Sequence, residues 1–493
     1  MSASTPNALR PLRPHQERAV SELRRSLASG RKRPMLQAPT GFGKTLLAAH
    51  IVAGALGKGK RVAFCVPRLT LIDQTVAAFD AEGIRAVGVM QSYHPLTDHE
   101  QPVQVCSAQT LARRKFTDVD LVIVDEAHEH HKSIFRWMAD CPAIPFVGLS
   151  ATPWSRGLGK HYDDLIIAAT TRELIDQGYL ADFVAYAPSD PDLSDVSTRA
   201  GEFAQDELAD AMDRTSIVGD IVETRIKRGG NLPTVAFCVN RNHAKHVAER
   251  FKEAGVAVEY VDGETSREDR ERIFSRFKSG ETKILVSVGV LTTGFDADVR
   301  CIIDAQPTRS RILFVQKIGR GLRTAEGKDK LIILDHAGNC LRLGLPTDIH
   351  QDSLDDGKER EGSAKKKRSE PLPKLCPDCK ALLSYKAREC SACGAKIIAV
   401  STVHDAEGDL VELGARQSGK RQATLFDMAQ FFAELRGYAQ HKGYAEGWAA
   451  HKFKEKFGVW PNGVGKNVVA PSLTTLNWIR SRQIAFAKRR RFG

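Results

Sequence analysis

The 493-residue chain is 42% hydrophobic and 27% charged, a composition typical of a soluble globular protein with two or three domains. Its N-terminal residues lack the apolar core of a secretion signal, and the longest apolar run, Leu46 to Leu56, is too short to span a bilayer, so we expect a cytoplasmic protein. The net charge of +12 resides in residues 364–493, where 24 Lys and Arg face 11 Asp and Glu. Such a basic segment favours a polyanionic partner, but a solubilising tail would have the same composition.

In chain order, short β-branched apolar runs alternate with helix-like segments from residue 34 to about residue 340, which predicts parallel sheets covered by helices. The predicted strands are PMLQA, RVAFCVP, VQVCSAQ, LVIVDEA and FVGLSAT in the first half, and TVAFCVN, VEYVDG, KILVSVG, CIIDAQP and LIILDHA in the second. We predict an α/β protein with domains at 1–185 and 186–345, a charged linker at 346–375, a cysteine element at 376–396 and a basic, mainly helical region at 397–493.

The stretch MLQAPTGFGKTLLAAH follows the first predicted strand and has the ingredients of a phosphate-binding loop. Gly41 and Gly43 allow unusual backbone angles, the following apolar segment supplies a helix N-terminus, and Lys44 supplies a positive charge. Thr45 would place its hydroxyl on magnesium. Ala38 stands where the pattern G-x-x-x-x-G-K-[ST] has glycine, so this stretch alone does not separate a nucleotide cradle from an ordinary loop.

A second motif, LVIVDEAH, decides between these interpretations. Carboxylates at the C-terminal end of a buried strand lie at the edge where open α/β sheets bind ligands. There Asp125 would hold magnesium, directly or through water, and Glu126 would orient and deprotonate an attacking water. Together, the loop and the acidic strand end predict a nucleotide-hydrolysing site.

Further motifs follow in the order found in superfamily 2 helicases and translocases, whose phosphate-binding loop is commonly A-x-x-G-x-G-K-T. The chain resembles this family over roughly residues 10–340. The stretches that carry the resemblance are RPHQ at 13–16, CVPRLTLIDQT at 65–75, VCSAQTL at 105–111, LSATP at 149–153, VLTTGFD at 290–296 and QKIGRGLR at 316–323.

The resemblance implies two tandem RecA-like domains that use ATP and magnesium. The residues it assigns are, for the nucleotide, Arg13, Gln16 (as the base contact), Thr40, Gly41, Gly43, Lys44, Thr45, Asp125, Gly294 and Asp296; for catalysis, Lys44, Asp125, Glu126, Gln316, Arg320 and Arg323; for coupling hydrolysis to domain movement, His128, Ser150 and Thr152; and for nucleic acid, Arg68, Gln109, Thr110, Asn240, Thr292 and Thr293.

Arg320 and Arg323 also have a physical rationale. A single domain could bind ATP, but the charge on a transferred phosphoryl group needs further cations. On a helix the two arginines would share one face and reach across an interdomain cleft. Hydrolysis would then depend on domain closure, and closure and reopening on a bound strand would produce stepping. Without the other motifs, a solvated helix face would explain the pair equally well.

Within the superfamily, the stretches VLTTGFDA, GRGLR and LDHAGN most resemble the RadD-type branch. Its members are relatives of XPB that act on DNA in bacterial repair and carry cysteine-rich zinc elements after the second motor domain. Phage and prophage helicases share much of this pattern. The acidic motif reads Asp-Glu-Ala-His at 125–128, which departs from the Asp-Glu-Cys-His of RadD.

The segment CPDCKALLSYKARECSAC contains two Cys-x-x-Cys pairs. Each pair can chelate an ion from a tight turn, and four thiolates leave no open coordination position. We therefore predict a structural zinc ion in a ribbon-like element, with Gly394 suited to the second turn. A redox pair or disulfides would use the same residues. The predicted ligands are Cys376, Cys379, Cys390 and Cys393.

Near the C-terminus, YAEGWAAHKFKEKFGVWPNG interleaves aromatic and basic side chains. Stacking of bases on the aromatics beside phosphate-binding lysines is one interpretation. The near-helical spacing of Trp448, Phe453 and Phe457 favours another, a small core. The runs AKKKRSE and AKRRRFG would contact phosphates or be plain solvated segments.

The predicted function is an ATP-dependent helicase or translocase, possible roles being DNA repair and replication. The subfamily resemblance favours DNA over RNA as the partner. Two alternatives remain open: an RNA-dependent ATPase, and a nucleic-acid-binding ATP switch without processive unwinding.

Overall fold

The computed structural model describes residues 9–358 apart from 92, 112–117, 188–190, 192, 200 and 292–294, residues 373–397, and residues 425–482 apart from 446, 462–464, 466, 473–474, 477 and 480–481. The runs AKKKRSE and AKRRRFG lie outside the described residues. The chain forms two compact units, Met1–Val400 and Ser401–Gly493, and each is described by itself.

The first domain is a seven-stranded sheet in which every pairing is parallel. Its central strands are buried, which explains why they read as continuous apolar runs. In chain order the elements are α1 (Pro14–Ala28), β1 (Pro34–Gln37), α2 (Lys44–Leu56), β2 (Val62–Val66), α3 (Ile72–Ala81), β3 (Val87–Val89), β4 (Val103–Ser107), α4 (Ala108–Leu111), β5 (Leu121–Asp125), α5 (Lys132–Asp140), β6 (Phe146–Ser150), β7 (Asp164–Ile167) and α6 (Thr171–Asp176). The strand order β3–β4–β2–β5–β6–β1–β7 leaves only β6 between the ends of β1 and β5.

The second domain is built on an eight-stranded sheet. Its elements are β8 (Asp182–Tyr186), a small separate hairpin of β9 (Thr198–Arg199) and β10 (Glu202–Phe203), α7 (Gln205–Met212), α8 (Thr215–Thr224), β11 (Thr234–Cys238), α9 (Arg241–Glu253), β12 (Val258–Val261), α10 (Arg267–Lys278), β13 (Ile284–Ser287), β14 (Cys301–Ala305), α11 (Arg311–Gly319), β15 (Lys330–Asp335), α12 (Asn339–Leu343), β16 (Lys374–Leu375) and β17 (Ala381–Leu383). The strand order is β12–β13–β11–β14–β15–β8–β17–β16. The strands from β12 to β8 pair in parallel, whereas β17 and β16 add an antiparallel hairpin beside β8.

All ten predicted strands are confirmed, but the expected boundary between residues 185 and 186 is not where the sheets divide. Strand β8 pairs in parallel with β15, for example Phe183 with Leu331, so it belongs to the second sheet. The second domain therefore begins before Asp182. The strand reaches its sheet by pairing with β15 almost 150 residues later, which local sequence pattern does not show.

The first part of the expected linker is structured. Leu345 and Ile349 are buried in the core, and Leu354 packs against apolar residues of the first domain. Asp355 accepts hydrogen bonds there: its main-chain oxygen from Gly159 N at 2.7 Å and its Oδ1 from Gly157 N at 2.8 Å. Residues 345–358, called the strap below, thus return from the second domain to the first. Main-chain hydrogen bonding explains why a polar sequence can do this.

In the second unit, helices α13 (Leu425–Lys442) and α14 (Trp448–Phe457) pack through an aromatic core. Phe453 is almost fully buried, and Trp448 and Phe457 pack around the same cluster, so the core interpretation of these aromatics is confirmed. Trp460 is 43% exposed, with Lys454 Nζ 4.4 Å from its ring centre. None of the helices in the described part of the chain has the length and apolar character that crossing a membrane requires.

Candidate functional site: a cleft between the two sheets

The predicted phosphate-binding loop joins β1 to α2. Gly41 and Gly43 have φ angles of 82° and 86°, a left-handed conformation that residues with a Cβ rarely adopt. Helix α2 begins at Lys44, so its unpaired N–H groups face the loop. Ala38 is fully buried and donates its N–H to the Ser150 carbonyl at 2.8 Å. Ala38 directly follows β1 and keeps a sheet hydrogen bond, so this position does not require glycine. The loop after it is still able to surround an anion.

Lys44 faces the two acidic residues at the end of β5. Its Nζ forms an ion pair with Glu126 and lies 3.7 Å from Asp125 Oδ1. Burial opposes the lysine charge, but the carboxylates outweigh it and raise the pKa of Lys44. Burial would also raise the pKa of Glu126, but Lys44 and His128 outweigh it and lower that pKa. Burial raises the pKa of Asp125 despite the nearby lysine. Lys44 and Glu126 are therefore both charged at neutral pH.

The second domain contributes Gln316, Arg320 and Arg323. Helix α11 ends at Gly319, so the expectation that the two arginines share a helix face is wrong. Both are held instead by the segment after β13: Arg320 Nη1 donates to the Phe295 carbonyl at 3.1 Å, and Arg323 pairs with Asp296. Burial, with Arg323 nearby, lowers the pKa of Arg320 to about 10, which leaves it charged at neutral pH.

These groups line one cavity of about 520 Å³ between the sheets. The two domains touch beside it: a Cβ on Gly319 would lie 2.5 Å from Thr40 Oγ1, so only glycine permits this approach. Nearby, Ala181 N donates to the Leu322 carbonyl at 2.8 Å. The predicted residues that line the cavity are Arg13, Thr40, Gly41, Gly43, Lys44, Thr45, Asp125, Glu126, Asp296, Gln316, Arg320 and Arg323.

The three predicted coupling residues form a connection across the cleft. His128 Nδ1 lies 2.9 Å from Ser150 Oγ, which also accepts the Thr152 N–H at 3.0 Å. On the other side of the ring, His128 Nε2 lies 3.2 Å from Gln316 Nε2. Burial lowers the pKa of His128, so the ring is neutral at pH 7 and its Nε2 can accept from the Gln316 amide.

The upstream motif is placed differently from expectation. Gln16 is 1% exposed, and its Nε2 donates to the carbonyls of Phe42 (2.9 Å) and Gly43 (3.3 Å), so its amide supports the loop instead of facing the cavity. The cavity is lined here by Arg13 and by Tyr179, whose ring centre lies 4.8 Å from the guanidinium carbon. Sequence reasoning missed Tyr179 because it follows α6, outside every motif.

The predicted nucleic-acid residues follow strands of both sheets. Arg68 is exposed after β2, and Gln109 and Thr110 lie on α4 directly after β4. Asn240 follows β11, and its side-chain oxygen accepts from His243 N at 2.9 Å as the cap of α9. The ends of parallel strands share one edge of a sheet. Thr292, Thr293 and Gly294 lie outside the described residues, and contact with nucleic acid stays a prediction for the whole set.

The four clustered cysteines are brought together by two similar turns. Cys376 N donates to the Ala381 carbonyl and Cys390 N to the Ala395 carbonyl, both at 2.8 Å. After the second cysteine of each pair the chain is left-handed, with φ 62° at Lys380 and 73° at Gly394. The turn geometry predicted from the spacing is therefore present in both pairs.

All four sulfurs lie within 4.8 Å of one another, and the cysteines are free. Cys376 Sγ is 3.7 Å from Cys393 Sγ, and Cys379 Sγ is 3.7 Å from Cys390 Sγ. Four sulfurs about 2.3 Å from a central ion would stand about 3.8 Å apart at the edges of a tetrahedron. The cluster can therefore hold one tetrahedral cation.

Comparison with known proteins supports the same reading of both domains. Residues 10–155 match the family model of the Type III restriction enzyme, res subunit, and residues 216–325 match that of the Helicase conserved C-terminal domain. A 51.5 kDa protein of Lactococcus phage (isolate 7-9) is 31% identical over 371 residues, which cover 73% of this chain and 77% of the phage protein.

Two more distant similarities agree. The putative ATP-dependent helicase IRC3 of Saccharomyces cerevisiae is 30% identical over 66% of this chain, and the match spans about half (51%) of the yeast protein. The solved structure of the ATP-dependent Type ISP restriction-modification enzyme LlaBIII bound to DNA has a TM-score of 0.51 at 18% identity, over 66% of this chain and 28% of that one. At that identity the second similarity shows the fold alone.

A phosphate-binding loop on one RecA-like domain that faces arginines of a second domain defines a two-domain nucleoside triphosphatase. The motifs, both family matches and the phage relative then place the protein more closely. The chain belongs to the superfamily 2 helicases, and it is an ATP-hydrolysing helicase.

Proposed function

We propose that this helicase is a DNA-stimulated motor that couples ATP hydrolysis to movement on, or remodelling of, DNA. The observation that carries the proposal is the composite cavity, in which Lys44 and Glu126 come from one domain and Arg320 and Arg323 from the other. The charge that develops on the phosphoryl group during transfer is stabilised only while the residues of both domains are in place. Hydrolysis therefore requires closure, and product release permits opening, which on a bound strand gives a step.

Each residue has a role in this scheme. Lys44 binds the β- and γ-phosphates, and this contact frees Glu126 from its ion pair to orient water and accept a proton. Arg320 and Arg323 stabilise the developing charge. Thr45 and Asp125 would hold magnesium, which would neutralise charge on the phosphates.

His128, Ser150 and Thr152 relay closure to the first domain, since His128 contacts Gln316 across the cleft. Arg68, Gln109, Thr110 and Asn240, together with Thr292 and Thr293, are proposed to hold the nucleic-acid backbone.

Three observations favour a nucleic-acid track, and the first and the third of them favour DNA over RNA. One family match is to a restriction-enzyme subunit, and the structurally similar restriction-modification enzyme was solved bound to DNA. The net positive charge of the chain lies in its C-terminal part, which suits a polyanion. The motifs resemble RadD-type helicases. We therefore propose membership of that branch and a role in DNA repair or replication.

The test is the steady-state ATPase activity of the full chain alone and with matched single-stranded DNA, duplex DNA, forked DNA and RNA at two salt concentrations. We expect stimulation by one DNA form that weakens as salt rises, because phosphate contacts release counterions. Lys44→Ala should abolish turnover. Glu126→Gln should lower kcat by about 100-fold or more while ATP and DNA still bind, since only the proton acceptor is lost.

Each contrary outcome removes a defined part of the proposal. Stimulation by RNA alone would replace DNA as the track. Full activity in Lys44→Ala would refute the site assignment. Turnover that no nucleic acid accelerates would indicate a switch, and the motor proposal would be abandoned.

We further propose that the cysteine cluster holds a structural zinc ion. The sulfur spacing fits a tetrahedral site built from four thiolates, and four sulfur ligands suit zinc. Metal analysis of the purified protein should find one zinc per chain, reduced in Cys376→Ser. Cys141→Ser, at a cysteine of the first domain, is the matched control and should keep its zinc. A wild-type protein without bound metal would contradict the assignment.

A further inference from the structure

The segment that bears the catalytic arginines lies beyond the end of a helix, so something other than the helix must fix it. Helix α11 itself is anchored by Lys317, which is fully buried and pairs with Asp304 at 2.5 Å. The helix that this ion pair anchors ends at Gly319. Arg320 to Arg323 follow the helix, and their backbone is held on one side by the Ala181 N–H to Leu322 carbonyl bond and a bridge between Leu180 and Arg323. Small shifts of this segment would carry the guanidinium groups away from the cavity.

Lys328 lies behind this segment and donates to three main-chain carbonyls. Its Nζ is 2.6 Å from Gly321 O, 2.7 Å from Arg323 O and 2.7 Å from Val299 O. Val299 is buried and lies two residues before β14, which pairs on both sides within the second sheet. The ammonium group therefore joins the arginine segment to the sheet with all three of its donors.

We propose that Lys328 is a positioning residue for ATP hydrolysis, which holds the backbone of Gly321 and Arg323 against the second sheet so that the Arg323 side chain reaches the nucleotide. The inference rests on the proposed role of the arginines. A lysine suits three converging carbonyls because its donors radiate from one atom, whereas the guanidinium of arginine is a planar fork. A methionine of similar length would fill the space and make none of these hydrogen bonds.

The environment of the ammonium group agrees with this role. Burial lowers the pKa of Lys328 to about 8, with Asp298 opposing and Arg300 and Arg323 adding to the shift. Arg300 contacts the chain directly before Lys328, where it donates to the carbonyls of Glu326 and Gly327 at 2.6 and 2.7 Å. These carbonyls are different from those that Lys328 holds, so Arg300 does not replace it.

The test is a double-mutant cycle on nucleic-acid-stimulated ATPase activity with Lys328→Met, Arg323→Ala and the double variant. We expect Arg323→Ala to lower kcat by about 100-fold or more and Lys328→Met to lower it by roughly 10-fold or more, with the KM for ATP nearly unchanged. If Lys328 acts through Arg323, the double variant should be no slower than Arg323→Ala alone. Lys330→Met is the matched control, because this exposed lysine two residues away contacts Ser391 instead of the arginine segment.

The outcomes separate the catalytic role of Arg323 from the positioning role of Lys328. An unaffected Arg323→Ala would refute the role of the arginine and hence the proposed catalysis. A slow Arg323→Ala with a normal Lys328→Met, or with losses that multiply in the double variant, would refute the positioning role alone. If Lys328→Met unfolds, as judged by thermal melting, the same double-mutant cycle is run with Lys328→Gln. Its amide has only two donors for the three carbonyls, so kcat should still fall.

Discussion

Glu126 has a φ of 46°, a left-handed conformation that costs a residue with a Cβ about 1 kcal/mol. Adjacent side chains of a strand point to opposite faces, so a straight β5 would separate Asp125 from Glu126. The left-handed turn, in which Asp125 Oδ1 accepts the Glu126 N–H at 2.9 Å, lets both carboxylates face Lys44. Backbone strain thus lies where two adjacent residues must serve one site.

Also at the residue scale, buried His243 makes stability depend on pH. Burial lowers the pKa of its ring to about 4, from an ordinary value near 6.5. Between these values the unfolded chain binds the proton and the folded chain does not, so acid favours unfolding. The contribution of His243 to the free energy of unfolding should be constant above about pH 6.5 and fall by about 3 kcal/mol as the pH approaches 4.

Denaturant unfolding of the wild type and His243→Gln across this pH range would check the prediction. The variant should lose part of the acid dependence. His246→Gln is the control, since this histidine lies on the same helix but is 35% exposed. Equal pH dependence in the wild type and His243→Gln would show that the buried ring is not responsible.

At the scale of elements, the strap should be sensitive to one side chain. Asp355→Ala removes the acceptor for Gly157 N and Gly357 N, while Asp356→Ala, the matched control, removes a carboxylate that accepts from Lys358 N within the strap. Loss of these bonds should cost about 1 kcal/mol and raise amide exchange around Gly157 roughly fivefold. Hydrogen exchange followed by mass spectrometry measures this, and equal exchange in both variants would show that Asp355 does not hold the strap.

The sequence predicts elements well where a local pattern sets them. Ten strands, the loop and the acidic strand end are recognisable because apolar runs, glycines and charges occur at fixed spacing. Tyr179 and Lys328 carry no such signal, since their roles come from groups that only the fold brings near. The same holds for β8 and the strap, which are ordered by pairing with distant segments. The end of α11 at Gly319 was missed because a helical pattern continues past it.

At the scale of the molecule, the second unit should contribute affinity for nucleic acid and not chemistry. Residues 401–493 contain 15 Lys and Arg against 8 Asp and Glu, and every residue of the cavity belongs to the first unit. A chain ending at residue 400 should keep its KM for ATP. Its affinity for DNA should fall, with a shallower dependence on salt because fewer counterions are released. Unchanged DNA affinity at two salt concentrations would show that the basic region is only a solubilising tail.

The hairpin of β16 and β17 has a consequence for solubility. In a sheet of parallel strands alone, β8 would be the last strand, with its apolar sequence DFVAY and a row of open backbone donors and acceptors. Such an edge is a template for strands of other molecules. Pairing of Leu382 with Ala185 covers this edge, and Cys376 and Cys390 pack with Ala381 and Leu383 in the hairpin that makes this pair. If the cysteine cluster holds the proposed zinc ion, loss of that ion would therefore make the chain prone to self-association, and metal supply would govern how long the protein stays dispersed in the cell.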